Sequence, residues 1–223
     1  MTILITGFEP NDDGLNASKI LVESLRDEPP ENLSSLRELV HYEIIPPSSN
    51  KLQSNILEHI SNYKPEYCIF IGQAPGRNKI TFERLATNLK DFGSPDGDGS
   101  QPHGDHIDPE GPAAYWSNLP NQDKLVERLN ENGIPASFSN HAGNHLCNQI
   151  LYHALHHAHL EKKDLKCGFI HIPPLPIQAQ TQWLATPFIP LTMAREALAI
   201  VVAELAACPT RRSRGTPQKR GAP

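Results

Sequence analysis

The sequence predicts an α/β protein. It reads as a single-domain, three-layer α/β/α sandwich with a mainly parallel twisted sheet. Three observations predict it. Short apolar runs, closed by glycine or proline, read as buried strands. Between them lie segments whose apolar residues recur at helical spacing. The two kinds alternate along 223 residues, a length that suits one domain with a sizeable core. The domain is expected over residues 1–207, with 208–223 a disordered tail.

The elements follow in order. Thr2 to Thr6 is the first strand. Asn16-Ala17-Ser18 caps a helix from about Lys19 to Arg26, with Ile20, Leu21 and Leu25 at helical spacing. Leu39 to Ile45 is a strand stopped by Pro46-Pro47. Ser48-Ser49-Asn50 starts a helix striped by Leu52, Ile56, Ile60 and Tyr63. Tyr67 to Ile71 is an unbroken apolar run before Gly72, as in a central strand. Ile80 to Leu89 reads as a further strand or extended segment. Gly93 to Pro112 is a long acidic loop, rich in Gly and Pro, of a length usually tied to function or mobility.

A helix is predicted from Gln122 to Asn132, then a short strand from Ala136 to Ser139. The next helix begins near Asn144 or His145 and carries a wide apolar stripe through Leu146, Ile150 and Ala154. Gly168 to Ile172 is a strand ended by Pro173-Pro174, and Leu191 to Ala206 is the last helix. In such sheets the active site lies at the carboxyl ends of the strands.

Composition narrows the function. The formal net charge of -5 offers nothing to nucleic acid or an anionic membrane. No apolar run is long enough to cross a bilayer. Met1 leads directly into Ile3-Leu4-Ile5, so no signal peptide is expected, and a cytoplasmic location is the default. The four cysteines, Cys68, Cys147, Cys167 and Cys208, form no CxxC pair.

Cys147 stands apart. It lies in or next to the first turn of an amphipathic helix, where amides and a partial positive charge favour a thiolate and could stabilise an oxyanion. The alternative is a thiol packed on the apolar stripe, and position alone leaves the two about even. His171 closes an apolar strand, where an imidazole could take the thiol proton; the alternative, favoured for an isolated histidine, is a satisfied buried side chain. Glu83, in an otherwise apolar stretch, could orient that imidazole; the alternative is a salt bridge with Arg84 or another base.

Other clusters are weaker. His153 and His157 have metal-pair spacing but alternate with the apolar row, so His153, His156, His157 and His159 are expected on a solvated face. His103, Asp105, His106 and Asp108 resemble a metal set, as flexible acidic loops often do. Asp96-Gly97-Asp98 fails the calcium-loop pattern at its twelfth position, Ile107.

Six segments then occur in a familiar order: Thr6-Gly7-Phe8-Glu9-Pro10; Gly72-Gln73-Ala74 with Gly76-Arg77; Ile80-Thr81-x-Glu83-Arg84; Gly111-Pro112-Ala113-Ala114-Tyr115; Ala142-Gly143 before Cys147-Asn148; and Gly168-Phe169-Ile170-His171-Ile172-Pro173. Together they resemble the pyroglutamyl peptidase I (pyrrolidone-carboxylate peptidase) family of cysteine peptidases, over about Ile3 to Ala206.

The resemblance implies an enzyme that cleaves the amide bond after an N-terminal pyroglutamyl residue through an acyl-enzyme. It implies a Glu83, Cys147 and His171 triad and a substrate pocket that includes Phe8, Asn11, Gln73, His145 and Leu146. It also implies no cofactor and no metal, peptide partners with N-terminal pyroglutamate, and a cytosolic homo-oligomer, dimer or tetramer.

Departures gather around that pocket. Asn11 replaces a family aromatic, Asp12 and Asp13 replace glycines, Gly93 replaces an arginine, His145 replaces an aromatic, and Pro176-Ile177 replaces Pro-Glu. Each lost aromatic wall removes contact worth on the order of 1–3 kcal/mol. Two further readings therefore stay open. One is a related cysteine hydrolase with altered small-amide specificity; the other is a non-catalytic binding homologue.

Overall fold

The computed structural model describes residues 1–11, 14–180 and 186–208. Asp12, Asp13 and, of the tail expected over 208–223, residues 209–223 lie outside the described residues, while Cys208 is the C-cap of the last helix. The chain runs β1 (Ile3–Phe8), α1 (Ala17–Asp27), a 3-10 segment (Glu31–Leu39), β2 (Val40–Ile45), α2 (Ser49–Tyr63) and β3 (Tyr67–Gln73). Then come β4 (Ile80–Glu83), β5 (Leu85–Thr87), β6 (Ala114–Trp116), α3 (Gln122–Glu131) and β7 (Ala136–Ser139). The chain continues through α4 (Leu146–Leu160), β8 (Lys166–Ile172), the short α5 (Pro176–Ala179) and α6 (Leu191–Ala207).

Six strands form one sheet in the order β2-β1-β3-β8-β4-β7. The first four are mutually parallel. β4 pairs with β8 antiparallel, and β7 follows β4 in parallel. The sheet is thus mainly parallel, with a reversed pair at one edge. β5 and β6 form a separate antiparallel ribbon.

Strand periodicity divides the core in two. On one face Ile3, Ile5, Ile69, Ile71, Ile170 and Ile172 pack with apolar residues of α1, α3 and α6. On the other, Leu4, Phe70 and Phe169 pack under Leu52 and Ile56 of α2 and Ile150 and Leu151 of α4. Helices on both faces give the three layers. Asn16 caps α1 as its pattern predicts: its Oδ1 accepts from Ser18 N at 2.9 Å.

One expectation is corrected and two are refined. The segment from Ile80 to Leu89 is not one strand. It breaks at Arg84, whose N donates to Ser139 O and whose O accepts from Ser117 N, so that β4 joins the main sheet and β5 the ribbon. The histidines of α4 do not form a solvated face: His153 is buried, His156 and His157 are half-buried, and His159 is exposed. The acidic loop is extensively pinned. Asp96 accepts from Ser49 N (2.7 Å), Asp98 N (3.0 Å) and Ser100 N (2.8 Å). Asn88 exchanges bonds with Asp108, and Tyr152 donates to Pro112 O at 2.8 Å.

Candidate active site

Cys147 is the second residue of α4, and His145 is the N-cap. The approach to that helix passes Gly143, whose φ of +82 places it in the left-handed region that favours glycine. Among the described residues no side chain caps the helix, and its first residues, Leu146 and Cys147, line the cleft in front of it. Gly72, near the end of β3, makes room for the thiol. A Cβ there would lie 3.0 Å from Cys147 Sγ and 2.6 Å from Phe169 Cζ.

Gly72 is also the β3 partner of His171 on β8. The thiol therefore sits above the sheet beside the histidine. His171 is nearly fully buried, and its Nδ1 lies 2.7 Å from Glu83 Oε1. An ionised carboxylate only accepts, so Nδ1–H is the donor and Nε2 is left to accept a proton. Glu83 is fully buried at the end of β4. It pairs with Phe169 in the antiparallel register, two residues from His171 and on the same face. Its ion partners are His171 and Arg77, not Arg84. Arg84 bonds Asn140 at 2.8 Å and lies over the Phe138 ring. Ser139 is close to the carboxylate and donates to His141 O at 3.3 Å; among the described residues Glu83 Oε2 has no hydrogen-bond partner.

Burial dominates the electrostatics of the site. Burial, reinforced by the charge of Glu83 and opposed by Arg77, pushes the Cys147 thiol up to about 12. Burial also lowers His171, against the pull of Glu83, which keeps the imidazole neutral. Glu83 is itself burdened by burial, yet its bonds to His171 and Arg77 hold it below the usual carboxylate range.

A cleft of about 280 Å³ opens in front of the thiol. Phe8, Asn11, Gln73, His145 and Leu146 line it together with Cys147. His145 lies on Phe92, ring centroids 3.9 Å apart, and burial lowers its pKa, so it is a neutral flat wall. Gln73 Oε1 accepts from Ala17 N (2.7 Å) and from Gln178 Nε2 (2.8 Å), which fixes the amide end for end. Gly93 is exposed, and a Cβ added there would meet no described atom within 4 Å. Among the described residues no three His, Cys, Asp or Glu side chains gather to hold a metal, including those of the acidic loop. No helix among them is long and apolar enough to cross a membrane.

Sequence reasoning passed over Gly72, Arg77 and Gln178. Arg77 stood in the quoted Gly76-Arg77 step, but nothing local revealed that its side chain turns back onto Glu83. Gln178 meets Gln73 only through the tertiary fold.

A thiol beside a neutral imidazole that is bonded to a carboxylate, at the mouth of a cleft in an α/β/α fold, is the equipment of a cysteine hydrolase. Comparison with known proteins agrees. A family model described as pyroglutamyl peptidase matches residues 1–207. The pyrrolidone-carboxylate peptidase of Bacillus thuringiensis (strain Al Hakam) is 39% identical over 208 residues, covering 90% of this chain and 91% of that one. Pyroglutamyl peptidase I of Bacillus amyloliquefaciens superposes with a TM-score of 0.82 at 34% identity, over 93% of this chain and 97% of that one. A mutant pyrrolidone carboxyl peptidase from Pyrococcus furiosus gives a TM-score of 0.81 at 31% identity, over 91% and 97%. The chain belongs to the pyroglutamyl peptidase family of cysteine peptidases.

Proposed function

We propose that this chain removes N-terminal pyroglutamate from peptides, with Cys147 as nucleophile, His171 as acid and base, and Glu83 as the group that orients His171. The observation that carries the reading is the 2.7 Å contact between His171 and Glu83 on the sheet directly beneath Cys147.

The chemistry follows from the geometry. At rest the thiol keeps its proton and His171 is neutral. As the substrate carbonyl arrives, the Sγ proton passes to Nε2 and sulfur attacks the carbonyl carbon. The oxyanion forms in front of the first amides of α4, whose dipoles favour negative charge. The imidazolium, steadied by Glu83, then gives its proton to the leaving amine. Water, deprotonated by His171, attacks the thioester and releases pyroglutamate with the free thiol restored.

Specificity fits the cleft. The pyroglutamyl ring is neutral and small. Phe8 and the neutral His145 offer apolar and flat walls, and the fixed Gln73 amide presents its NH2 end to a lactam carbonyl. Among the described residues an ordinary N-terminus would bring an ammonium whose nearest rim carboxylate, Glu9, is already bound to Lys19 at 2.6 Å. His145 and Asn11 thus do not remove the logic of the pocket. We further place the enzyme in a reducing, cytoplasmic setting as a homo-oligomer, a reading to which the four free thiols are suited.

The test is hydrolysis of a pyroglutamyl-coumarin amide by wild type and Cys147→Ala under reducing conditions. Activity only in wild type is the expected outcome. A folded wild type that leaves this amide intact while cleaving another aminoacyl amide would replace the specificity assigned here. Failure on a full panel would point to a binding protein.

A further inference from the structure

Arg77 lies in the connection between β3 and β4, and its guanidinium makes three contacts at once. Nη1 donates to Glu83 Oε1 and to Thr81 Oγ1. Nη2 donates to His141 O at 3.0 Å. Thr81 is the β4 residue opposite His171. His141 opens the segment that passes Gly143 and leads into the helix of Cys147. One side chain therefore ties the carboxylate, the strand that carries it and the approach to the nucleophile.

Glu83 is fully buried, whereas the Arg77 side chain is 27% exposed. A buried carboxylate beside a neutral imidazole is costly without a compensating charge. Arg77 is that charge. Among the described residues, the titratable or charged groups facing the Glu83–His171 pair are Arg77 from the β3–β4 connection and Cys147 from α4. The other close neighbours, Phe169 of β8, Thr81 of β4 and Ser139 of β7, are uncharged.

We propose that Arg77 is a positioning residue of this site: acting through Glu83 and the His141 carbonyl, it holds the carboxylate ionised and aimed at His171 and fixes the segment that leads to Cys147. The turnover arm of its test rests on the peptidase reading above; the alkylation arm does not.

The experiment compares wild type, Arg77→Gln and Arg77→Lys in two pH profiles. One is kcat/KM for a pyroglutamyl-coumarin amide. The other is the rate of Cys147 alkylation by iodoacetamide, with Cys147→Ala as the blank. Removing the Arg77 charge makes both the thiolate and the neutral imidazole harder to reach. The acid limb of both profiles therefore moves to higher pH in Arg77→Gln. Arg77→Lys keeps the charge but not the fork, so its limb stays with wild type while kcat falls roughly 10- to 100-fold. An Arg77→Gln limb that coincides with wild type overturns the proposal, as does an Arg77→Lys limb that moves equally far. If Arg77→Gln does not fold, Arg77→Lys decides alone: indistinguishable from wild type, it overturns the proposal. Absence of turnover in wild type refutes the peptidase reading instead, and the alkylation profiles still judge Arg77.

Discussion

Nδ1 of His171 lies 2.7 Å from Oε1 of Glu83, across the antiparallel pair of an otherwise parallel-paired sheet. The reversal matters. Because β4 runs against β8, Glu83 opposes Phe169 and reaches diagonally to the same-face residue two positions on. The bond fixes the imidazole tautomer, and in the proposed mechanism it steadies the imidazolium that forms during turnover. Glu83→Gln retains the shape, but its amide can present NH2 to Nδ1 and favour the wrong tautomer. The expected outcome is a fall in kcat of about 10³-fold or more with KM little changed. Steady-state kinetics on a pyroglutamyl amide check it, and a loss under threefold would remove Glu83 from the mechanism.

Gly72 is required by space. A methyl group there would meet Phe169 at 2.6 Å and Cys147 Sγ at 3.0 Å. The Phe169 ring packs on His171, centroids 4.6 Å apart, so a displaced ring disturbs both reacting groups. Gly72→Ala should cost about 1–3 kcal/mol in stability through overpacking. It should also lower kcat/KM by more than tenfold. Denaturant unfolding and kinetics on the same preparation test both, and wild-type values for the pair would show that the site relaxes freely.

Asn148 follows Cys147 but has a different task. Its Oδ1 accepts from Thr87 N at 2.8 Å, and its Nδ2 donates to Thr87 O at 2.8 Å and Leu89 O at 3.0 Å. It is almost completely buried and clamps β5 onto α4. Asn148→Ala strands those backbone groups, for a loss of about 2–4 kcal/mol. The same variant, at temperatures where it stays folded, should keep measurable pyroglutamyl hydrolysis. Complete inactivity in a fully folded variant would assign Asn148 to the chemistry instead.

Much of this was legible in the residues. The apolar runs around Ile69 and Ile170 marked central strands because strands covered on both faces need apolar side chains on both. Cys147 was legible as the start of a helix, and His171 as the end of a strand. The split at Arg84 was not, since β4 and β5 share one apolar character and are separated only by which neighbour each finds. Nor was the reversal of β4, because pairing direction is set by connections and not by local pattern. His153 was misassigned because α4 is covered almost all round, by α2 on one side and by the ribbon and loop on another, so a polar residue off the main stripe is still buried. Arg77 and Gln178 act over distances in sequence that no local spacing encodes.

His153 supplies the last prediction. Burial, aided by Lys90 and His156 and opposed by Asp108, lowers it from 6.5 to about 4. It sits 6% exposed, its Nε2 3.3 Å from Gln149 Nε2. A folded-state pKa below the unfolded value contributes stability above the unfolded pKa and loses it as pH falls. Above pH 6.5 neither state binds the proton. Between 6.5 and about 4 the unfolded chain takes it and the folded chain refuses it, a loss of about 3 kcal/mol by pH 4. His171 and Glu83 are lowered too and weaken the fold in the same direction, so wild type alone cannot isolate His153. His153→Gln keeps a polar partner for Gln149 and cannot titrate. Urea unfolding of both proteins from pH 7.5 to pH 4 should therefore give wild type a constant advantage or deficit above pH 6.5. Below it, wild type should lose ground to the variant by about 3 kcal/mol. Parallel stability curves across the whole range would mean that His153 finds room for its proton within the folded protein.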